Sequence, residues 1–171
     1  MKILAMAILL TSILFMGFFM KGDKLKIGDK APEIKLPDAD GKLYSLSSYY
    51  GKSPVVIYFY PKADTPGCTK QACGIRDDWK KFEEAGIPVF GISVDSQEDL
   101  KKFRAKYSLN FPLLSDKKKE VSKAYGVLNL LGFSSRVTFI IDKEGKIAYV
   151  IDKVDVNTHA KEVFELASKL K

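Results

Sequence analysis

The hydrophobic residues of the chain form runs and periodic patterns that are typical, in turn, of strands and of helices. An uninterrupted run of β-branched and aromatic residues at 55–60 is typical of a strand buried on both faces, and residues 87–94 indicate a second buried strand. Between them, apolar residues recur at helical intervals from Cys68 through Trp79 and Phe82, and the pattern stops at Gly86. A strand, a helix and a second strand in this order indicate an α/β protein.

The remaining segments extend this alternation along the chain. They are a hairpin with a polar turn at 38–41, a helix capped by Ser96 and Asp99, a short strand at 111–116, a short helix ending at Gly126, two strands turned at 143–145, and a last helix beginning at Asn157 or Thr158. Strands and helices that alternate and close with an antiparallel strand pair describe three layers around a mixed central sheet. The predicted fold class is therefore α/β, a thioredoxin-like three-layer sandwich.

The beginning of the chain is hydrophobic without any polar periodicity. Residues 3–20 carry no charge, and as a helix they would extend about 27 Å, close to the hydrocarbon thickness of a bilayer. We therefore predict an N-terminal hydrophobic helix over residues 1–22, as a transmembrane anchor or signal segment, and one domain over residues 23–171. The anchor is favoured because no small-x-small cleavage site follows. The predicted location is the cytoplasmic membrane of a prokaryote, with the domain on the outer face; an exported soluble protein is the alternative.

Composition and charge only set limits on the function. A chain of 171 residues with 46% hydrophobic residues has the size and balance of one globular domain. It carries 28 basic and 21 acidic residues, a formal net charge of +7. The lysines are scattered without interleaved aromatic residues, which favours a solvated surface over nucleic-acid binding. No nucleic-acid partner is expected.

Both cysteines of the chain, Cys68 and Cys73, lie where the first buried strand is followed by a helix. Pro61 ends the strand because it has no N–H for the ladder, and Pro66 suits the first helical turn. Cys68 then falls near a helix N-terminus, where free N–H groups and the helix dipole favour a nucleophilic thiolate. Thr65, three residues earlier, can place its hydroxyl beside that sulfur.

Other roles for the two cysteines stay open at this point. A structural disulfide would close only a short loop, and a zinc site needs about four ligands where the chain has two cysteines and one histidine. Two inert buried cysteines are the third possibility. If one helix covers both cysteines, their Cα atoms lie about 8.6 Å apart, beyond the roughly 7 Å that a disulfide can span. A bond between them therefore requires the helix to unwind.

The segment YFYPKADTPGCTKQACGIRD resembles the active-site segment of the peroxiredoxins. Their signature Pro-x3-Thr-x2-Cys is met by Pro61, Thr65 and Cys68. The second cysteine, five residues later, resembles the Q-type, or bacterioferritin comigratory protein, subfamily. The resemblance runs from about Ile27 to the C-terminus, through GDKAPEIKLPD, GISVDS, FPLLSD and RVTFIID. It therefore covers nearly the whole predicted domain.

This resemblance implies a thiol-dependent peroxidase for hydrogen peroxide and small alkyl hydroperoxides. Cys68 would be the peroxidatic cysteine, oxidised to a sulfenic acid, and Cys73 the resolving cysteine that joins it in an intramolecular disulfide. Thr65 would hold the peroxide, Arg136 would stabilise the thiolate and the breaking O–O bond, and Pro61 would shield the pocket from water. A thioredoxin-like dithiol would reduce the disulfide. No metal or cofactor is implied, and a monomer is expected.

Two further functions remain as alternatives. A membrane-tethered thiol–disulfide oxidoreductase would also place cysteines at a helix start, although such proteins use the spacing C-x-x-C. A copper-binding protein with a thioredoxin fold would use the two cysteines and His159. Most proteins of the Q type lack an N-terminal anchor, so an anchor at residues 3–20 does not follow from the resemblance.

Overall fold

In the computed structural model, which describes residues 25–171, the chain forms a five-stranded sheet, a two-stranded hairpin and four α-helices. The strands are β1 (Lys35–Pro37), β2 (Leu43–Ser45), β3 (Val55–Phe59), β4 (Val89–Ser93), β5 (Leu113–Ser115), β6 (Val137–Ile141) and β7 (Ile147–Ile151). The helices are α1 (Pro66–Ala85), α2 (Gln97–Lys106), α3 (Glu120–Ala124) and α4 (His159–Ser168), with a 3-10 helix at Leu46–Tyr49. The predicted alternation of strands and helices is confirmed.

Strand β3 lies at the centre of the large sheet, whose order is β5-β4-β3-β6-β7. Strands β3, β4 and β5 run parallel, because α1 and α2 return the chain between them, whereas β6 is antiparallel to both β3 and β7. The turn from β6 to β7 is closed by the Asp142 carboxylate, which accepts hydrogen bonds from the N–H groups of Glu144 and Lys146. The sheet is therefore mixed, as predicted.

The central strand is covered on both faces, and every residue of β3 is at most 1% exposed. Val56 and Tyr58 belong to a core cluster shared with α1, α2 and α4. Ile57 and Phe59 point the other way, into a second cluster that includes Tyr125. Burial on both faces explains why this strand is a continuous apolar run and lacks the alternation of a half-exposed strand. The three-layer arrangement follows from these two clusters.

Helix α1 contains both cysteines and has well-defined ends. Pro66 occupies its first turn, and Gly86 ends it in the left-handed conformation, with φ of 62° and its N–H donated to the carbonyl of Glu83. At the start of α2, Ser96 accepts the N–H of Asp99, as predicted. Thr158 precedes α4 at the predicted cap position, but its side chain makes no capping hydrogen bond.

The predicted N-terminal helix, placed at residues 1–22 as an anchor or signal segment, lies outside the described residues. Within residues 25–171, no helix has both the length and the apolar surface needed to cross a bilayer. Helix α1 has 20 residues but carries the charged sequence RDDWKKFEE over its second half. The predicted localisation, a single-pass anchor in the cytoplasmic membrane with the domain on the outer face, is therefore corrected: no helix within residues 25–171 supplies that anchor.

Candidate active site

The loop between β3 and α1 carries the predicted site and is anchored to two neighbouring segments. The Ala63 N–H donates to the carboxylate of Asp95, which follows β4, at 2.8 Å. Asp64, in the left-handed conformation with φ of 58°, accepts hydrogen bonds from Lys106 and Tyr107 at the end of α2. These two bonds, that of Lys106 foremost, lower the pKa of the Asp64 carboxyl. The start of α1 is therefore held in a fixed position.

The first turn of α1 presents backbone N–H groups that no side chain caps. Thr65 is the cap residue, but its hydroxyl donates to the carbonyl of Lys62 at 3.0 Å and makes no capping bond to the helix. Its backbone carbonyl accepts the N–H of Thr69. Pro66 has no N–H, so the first donors of the helix are those of Gly67 and Cys68. The positive end of the helix dipole thus lies at Cys68.

The sulfur of Cys68 is buried, with the residue only 2% exposed, and it accepts a hydrogen bond from Arg136 Nη2 at 3.3 Å. Sheet register explains this contact: the last residue of β3, Phe59, pairs with Val137, the first residue of β6. Arg136, directly before β6, therefore lies at the same end of the strands as the start of α1. Gly67 makes room for it, since a Cβ there would lie 3.1 Å from Nη2. A fixed positive charge faces the sulfur.

The other terminal nitrogen of the Arg136 guanidinium, Nη1, contacts a series of buried polar side chains. Sequence reasoning did not identify this series. Arg136 Nη1 donates to Gln71 Oε1 at 2.5 Å, and Gln71 is fully buried one turn after Cys68. The amide nitrogen of Gln71 lies 3.3 Å from Nδ1 and 3.4 Å from Nε2 of His159. Nε2 of this ring also lies 2.8 Å from the hydroxyl of Thr138 on β6.

Burial and, second, the charge of Arg136 lower the pKa of His159 to about 4, so the ring is neutral at neutral pH. The sequence predicted a last helix beginning at Asn157 or Thr158, and His159 does lie at its start, but nothing in the sequence indicated its contacts with Gln71 and Thr138. The spacing of Gln71 from Cys68 by three residues was the available signal, because such residues share a helix face. No local pattern linked His159 to that face.

Cys73, the second cysteine, lies in the same intact helix, half-buried against the cluster formed by α1 and α4. Both cysteines are free thiols. One helix therefore covers both residues, so the estimate of about 8.6 Å between their Cα atoms applies. Pro61, half-buried, lies in the loop between β3 and α1. Of the five predicted site residues, Cys68 and Arg136 are in direct contact, while Thr65, Pro61 and Cys73 lie on the same loop and helix.

The geometry does not favour metal binding at these thiols. Over residues 25–171, no group of three or more His, Cys, Asp or Glu side chains has the arrangement of a metal site. Both ring nitrogens of His159 already have polar neighbours, in Gln71 and Thr138. The copper-binding alternative, which needs this histidine together with both cysteines, therefore gains no support.

Comparison with known proteins gives a consistent picture. Residues 27–150 match the AhpC/TSA family. The putative peroxiredoxin bcp of Coxiella burnetii is 47% identical over 146 residues, which cover 81% of this chain and 96% of that protein. The peroxiredoxin Bcp of Escherichia coli is 44% identical over 142 residues, covering 79% of this chain and 90% of that protein.

Solved structures of similar proteins share the same fold. The crystal structure of peroxidoxin BcpB from Mycobacterium tuberculosis superposes with a TM-score of 0.78 at 37% identity, over 86% of this chain and 99% of that one. A Xanthomonas campestris bacterioferritin comigratory protein, described by its alkyl peroxide reduction activity, superposes with a TM-score of 0.74 at 32% identity, over 81% of this chain and 92% of that one. The described fold is thus shared with peroxidoxin BcpB and with a protein described by its alkyl peroxide reduction activity.

Proposed function

The chain belongs to the AhpC/TSA family as a peroxiredoxin of the Q type, a thiol-dependent peroxidase, and we propose that Cys68 is the residue that reacts with peroxide. The observation that supports this assignment best is the 3.3 Å contact from Arg136 Nη2 to the Cys68 sulfur, at the start of α1. The guanidinium and the positive end of the helix dipole beside the sulfur both stabilise negative charge there, and the thiolate is the nucleophilic form of a cysteine. The unit proposed to carry the reaction is the domain over residues 23–171.

In the first step, the Cys68 thiolate attacks one oxygen of the peroxide and the O–O bond breaks. The sulfur is oxidised to a sulfenic acid, and the second oxygen leaves with the bonding electron pair and takes up a proton, giving water or an alcohol. Arg136 already faces the sulfur, so its charge would stabilise both the thiolate and the negative charge that develops on the leaving oxygen.

Thr65 and Pro61 are proposed to shape the place where the peroxide binds. Thr65 is the cap residue of α1, and its hydroxyl, which donates to the Lys62 carbonyl, is proposed to turn towards a peroxide oxygen at the helix N-terminus. Pro61 lies half-buried in the same loop and has no N–H to attract water. Hydrogen peroxide and small alkyl hydroperoxides are the proposed substrates, the latter in keeping with the Xanthomonas relative.

In the second step, the Cys73 thiol condenses with the sulfenic acid, an S–S bond forms, and the hydroxyl of the sulfenic acid leaves as water. The two cysteines lie in an unbroken helix, with Cα atoms about 8.6 Å apart, so this step requires the first two turns of α1 to unwind. An external dithiol of the thioredoxin type is proposed to reduce the disulfide and return both thiols.

The test is peroxide-dependent oxidation of a dithiol by the purified chain. We expect Cys68→Ser to lower turnover at least about a thousandfold, because the hydroxyl of serine stays protonated at neutral pH and does not attack the O–O bond. Circular dichroism of the variant checks that it is folded. Turnover that survives this substitution would assign the chemistry to another residue.

A further inference from the structure

His159 is the chain's only histidine, and it is fully buried at the first position of α4. The matched family range ends at residue 150 and does not reach it. We propose that His159 is a positioning residue that acts through Gln71. By fixing the Gln71 amide, it holds the Arg136 guanidinium against the sulfur of Cys68. The proposal rests on the proposed role of Cys68 and adds the C-terminal helix to the site.

The orientation of the Gln71 amide follows from the chemistry of its neighbours. A guanidinium has only donors, so the amide oxygen of Gln71 must face Arg136, at 2.5 Å. The amide nitrogen, which also has only donors, then faces the His159 ring. A buried amide in this setting needs an acceptor on the histidine.

The ring of His159 can supply that acceptor in one neutral form. The Thr138 hydroxyl lies 2.8 Å from Nε2, which leaves Nδ1, 3.3 Å from the Gln71 nitrogen, as the acceptor. A neutral ring with its proton on Nε2 satisfies both contacts. A protonated ring would direct an N–H at the Gln71 NH₂ group and add a second positive charge near Arg136. The lowered pKa of His159, about 4, agrees with the neutral form.

The ring is also fixed in place from several sides, as a positioning residue requires. Besides Thr138, the aromatic ring of Tyr58 contacts it edge to face, with centroids 5.7 Å apart. His159, Thr138 and Gln71 are each 0% exposed, so water cannot replace a lost partner without entering the core. If the acceptor is removed, the Gln71 NH₂ group is left unpaired, and its amide is free to rotate away from Arg136.

The experiment compares two replacements of His159 that differ in acceptor capacity. In a Cys73→Ser background, His159→Asn keeps an oxygen near the position of Nδ1, whereas His159→Leu removes every acceptor. Val163→Ala, also fully buried on α4, is the matched control for loosened helix packing. Arg136→Lys in the same background gives the effect of losing the guanidinium fork itself. Two quantities are measured: the pH midpoint of Cys68 alkylation by iodoacetamide and the rate constant for oxidation by hydrogen peroxide.

We expect His159→Leu to move the alkylation midpoint upward by about half a pH unit or more and to slow peroxide oxidation about tenfold, since the sulfur loses a fixed counter-charge. His159→Asn should restore most of the midpoint and most of the rate constant. Val163→Ala should leave the midpoint nearly unchanged and the rate constant within about twofold of the parent. The proposal is wrong if the Leu and Asn variants behave alike, or if Val163→Ala reproduces the Leu result.

A second measurement needs no variant and so does not depend on folding of the leucine form. The ¹⁵N chemical shifts of the single imidazole ring in the intact chain should show a protonated Nε2 and a bare Nδ1 from pH 6 to pH 8. A ring with its proton on Nδ1, or one that is charged at neutral pH, would direct an N–H at the Gln71 amide nitrogen 3.3 Å away and would overturn the proposal.

The two readouts also separate this proposal from the proposed peroxidase role of Cys68. Alkylation by iodoacetamide reports on the sulfur and involves no peroxide. If the parent chain does not consume peroxide but the alkylation midpoint follows the acceptor at position 159, the role of Cys68 as the peroxide-reacting residue fails and the positioning role stands. If peroxide is consumed at Cys68 but the alkylation midpoint does not change with the residue at position 159, the positioning role is wrong and the role of Cys68 stands.

Discussion

At the scale of single residues, the proposed reactivity of Cys68 depends on one guanidinium that contacts two partners. Arg136 directs one nitrogen at the Cys68 sulfur and the other at the Gln71 amide oxygen. A planar fork of this kind can serve both partners at once, which the single ammonium of a lysine does not reproduce. The position of the charge is therefore set by Gln71, and through it by the neutral ring of His159.

The burial of His159 makes stability depend on pH. The unfolded chain binds a proton near pH 6.5, whereas the folded chain does so only near pH 4, so acid favours the unfolded state over this interval. The full stabilisation is present above pH 6.5 and is lost as the pH falls towards 4. We expect the free energy of unfolding to drop by about 3 kcal/mol across this window, measured by urea denaturation at successive pH values.

The matched control for this prediction is His159→Asn, which cannot titrate. Between pH 6.5 and 5 its free energy of unfolding should stay nearly level, because the chain has no other histidine and carboxyl groups titrate mostly at lower pH. Parallel slopes for the parent and the variant in that interval would show that His159 is not the group responsible.

The sequence indicated the site residues that lie in one continuous segment, but not those that the packing of distant elements brings to the site. Pro61, Thr65, Cys68 and Cys73 lie within one continuous segment, so their spacing was visible, and the resemblance added Arg136. Gln71 is a polar residue on the buried face of α1, and helical periodicity alone does not indicate whether such a residue has a hydrogen-bond partner. The contact of His159 depends on how α4 packs against α1, which no local pattern specifies.

At the scale of elements, the proposed mechanism places two opposed requirements on α1. It must be intact to present the Cys68 sulfur at its N-terminus, and it must open between Cys68 and Cys73 for a disulfide to form. Gly74, directly after Cys73, weakens the helix at the C-terminal end of this segment, because glycine loses more backbone entropy in a helix than any other residue. Beyond it, Arg76 donates to the Tyr107 carbonyl and fixes the rest of the helix to the end of α2.

We expect Gly74→Ala to stabilise the folded chain by about 0.5–1 kcal/mol and to slow disulfide formation about two- to fivefold. A Cβ at this position meets only Ala160 Cβ at 3.7 Å, an ordinary van der Waals contact, so the substitution adds no strain. The rate is measured by mass spectrometry of samples quenched with an alkylating agent. Slower resolution should also raise the yield of Cys68 sulfinic acid at excess peroxide.

The contrast between two exposed lysines of α1 shows whether this effect is local. Lys70 lies between the cysteines and Lys80 lies after them. Glycine at either position weakens the helix by a similar amount, but only Lys70→Gly should accelerate disulfide formation. Equal effects of the two variants, or a Gly74→Ala chain that forms its disulfide at the parent rate, would mean that opening of this segment does not limit the step.

At the scale of the whole molecule, the site is assembled from three distant parts of the chain. The β3–α1 loop brings the cysteines, the start of β6 brings Arg136 by register with β3, and α4 brings His159. The mixed sheet was predictable, because strands buried on both faces are continuous apolar runs and the final strand pair has a polar turn. The localisation was predicted wrongly: it rested on the length and hydropathy of residues 3–20 alone, and within residues 25–171 no helix can cross a bilayer.

In the proposed mechanism, a peroxide-oxidised Cys68 is resolved by Cys73 of the same chain after α1 opens. This step is tested most directly by intact-mass spectrometry with peptide mapping after one equivalent of hydrogen peroxide. We expect a monomeric chain lighter by two hydrogens with a Cys68–Cys73 disulfide, and in Cys73→Ser a single added oxygen on Cys68. Two unmodified thiols, or disulfides found only between chains, would contradict it.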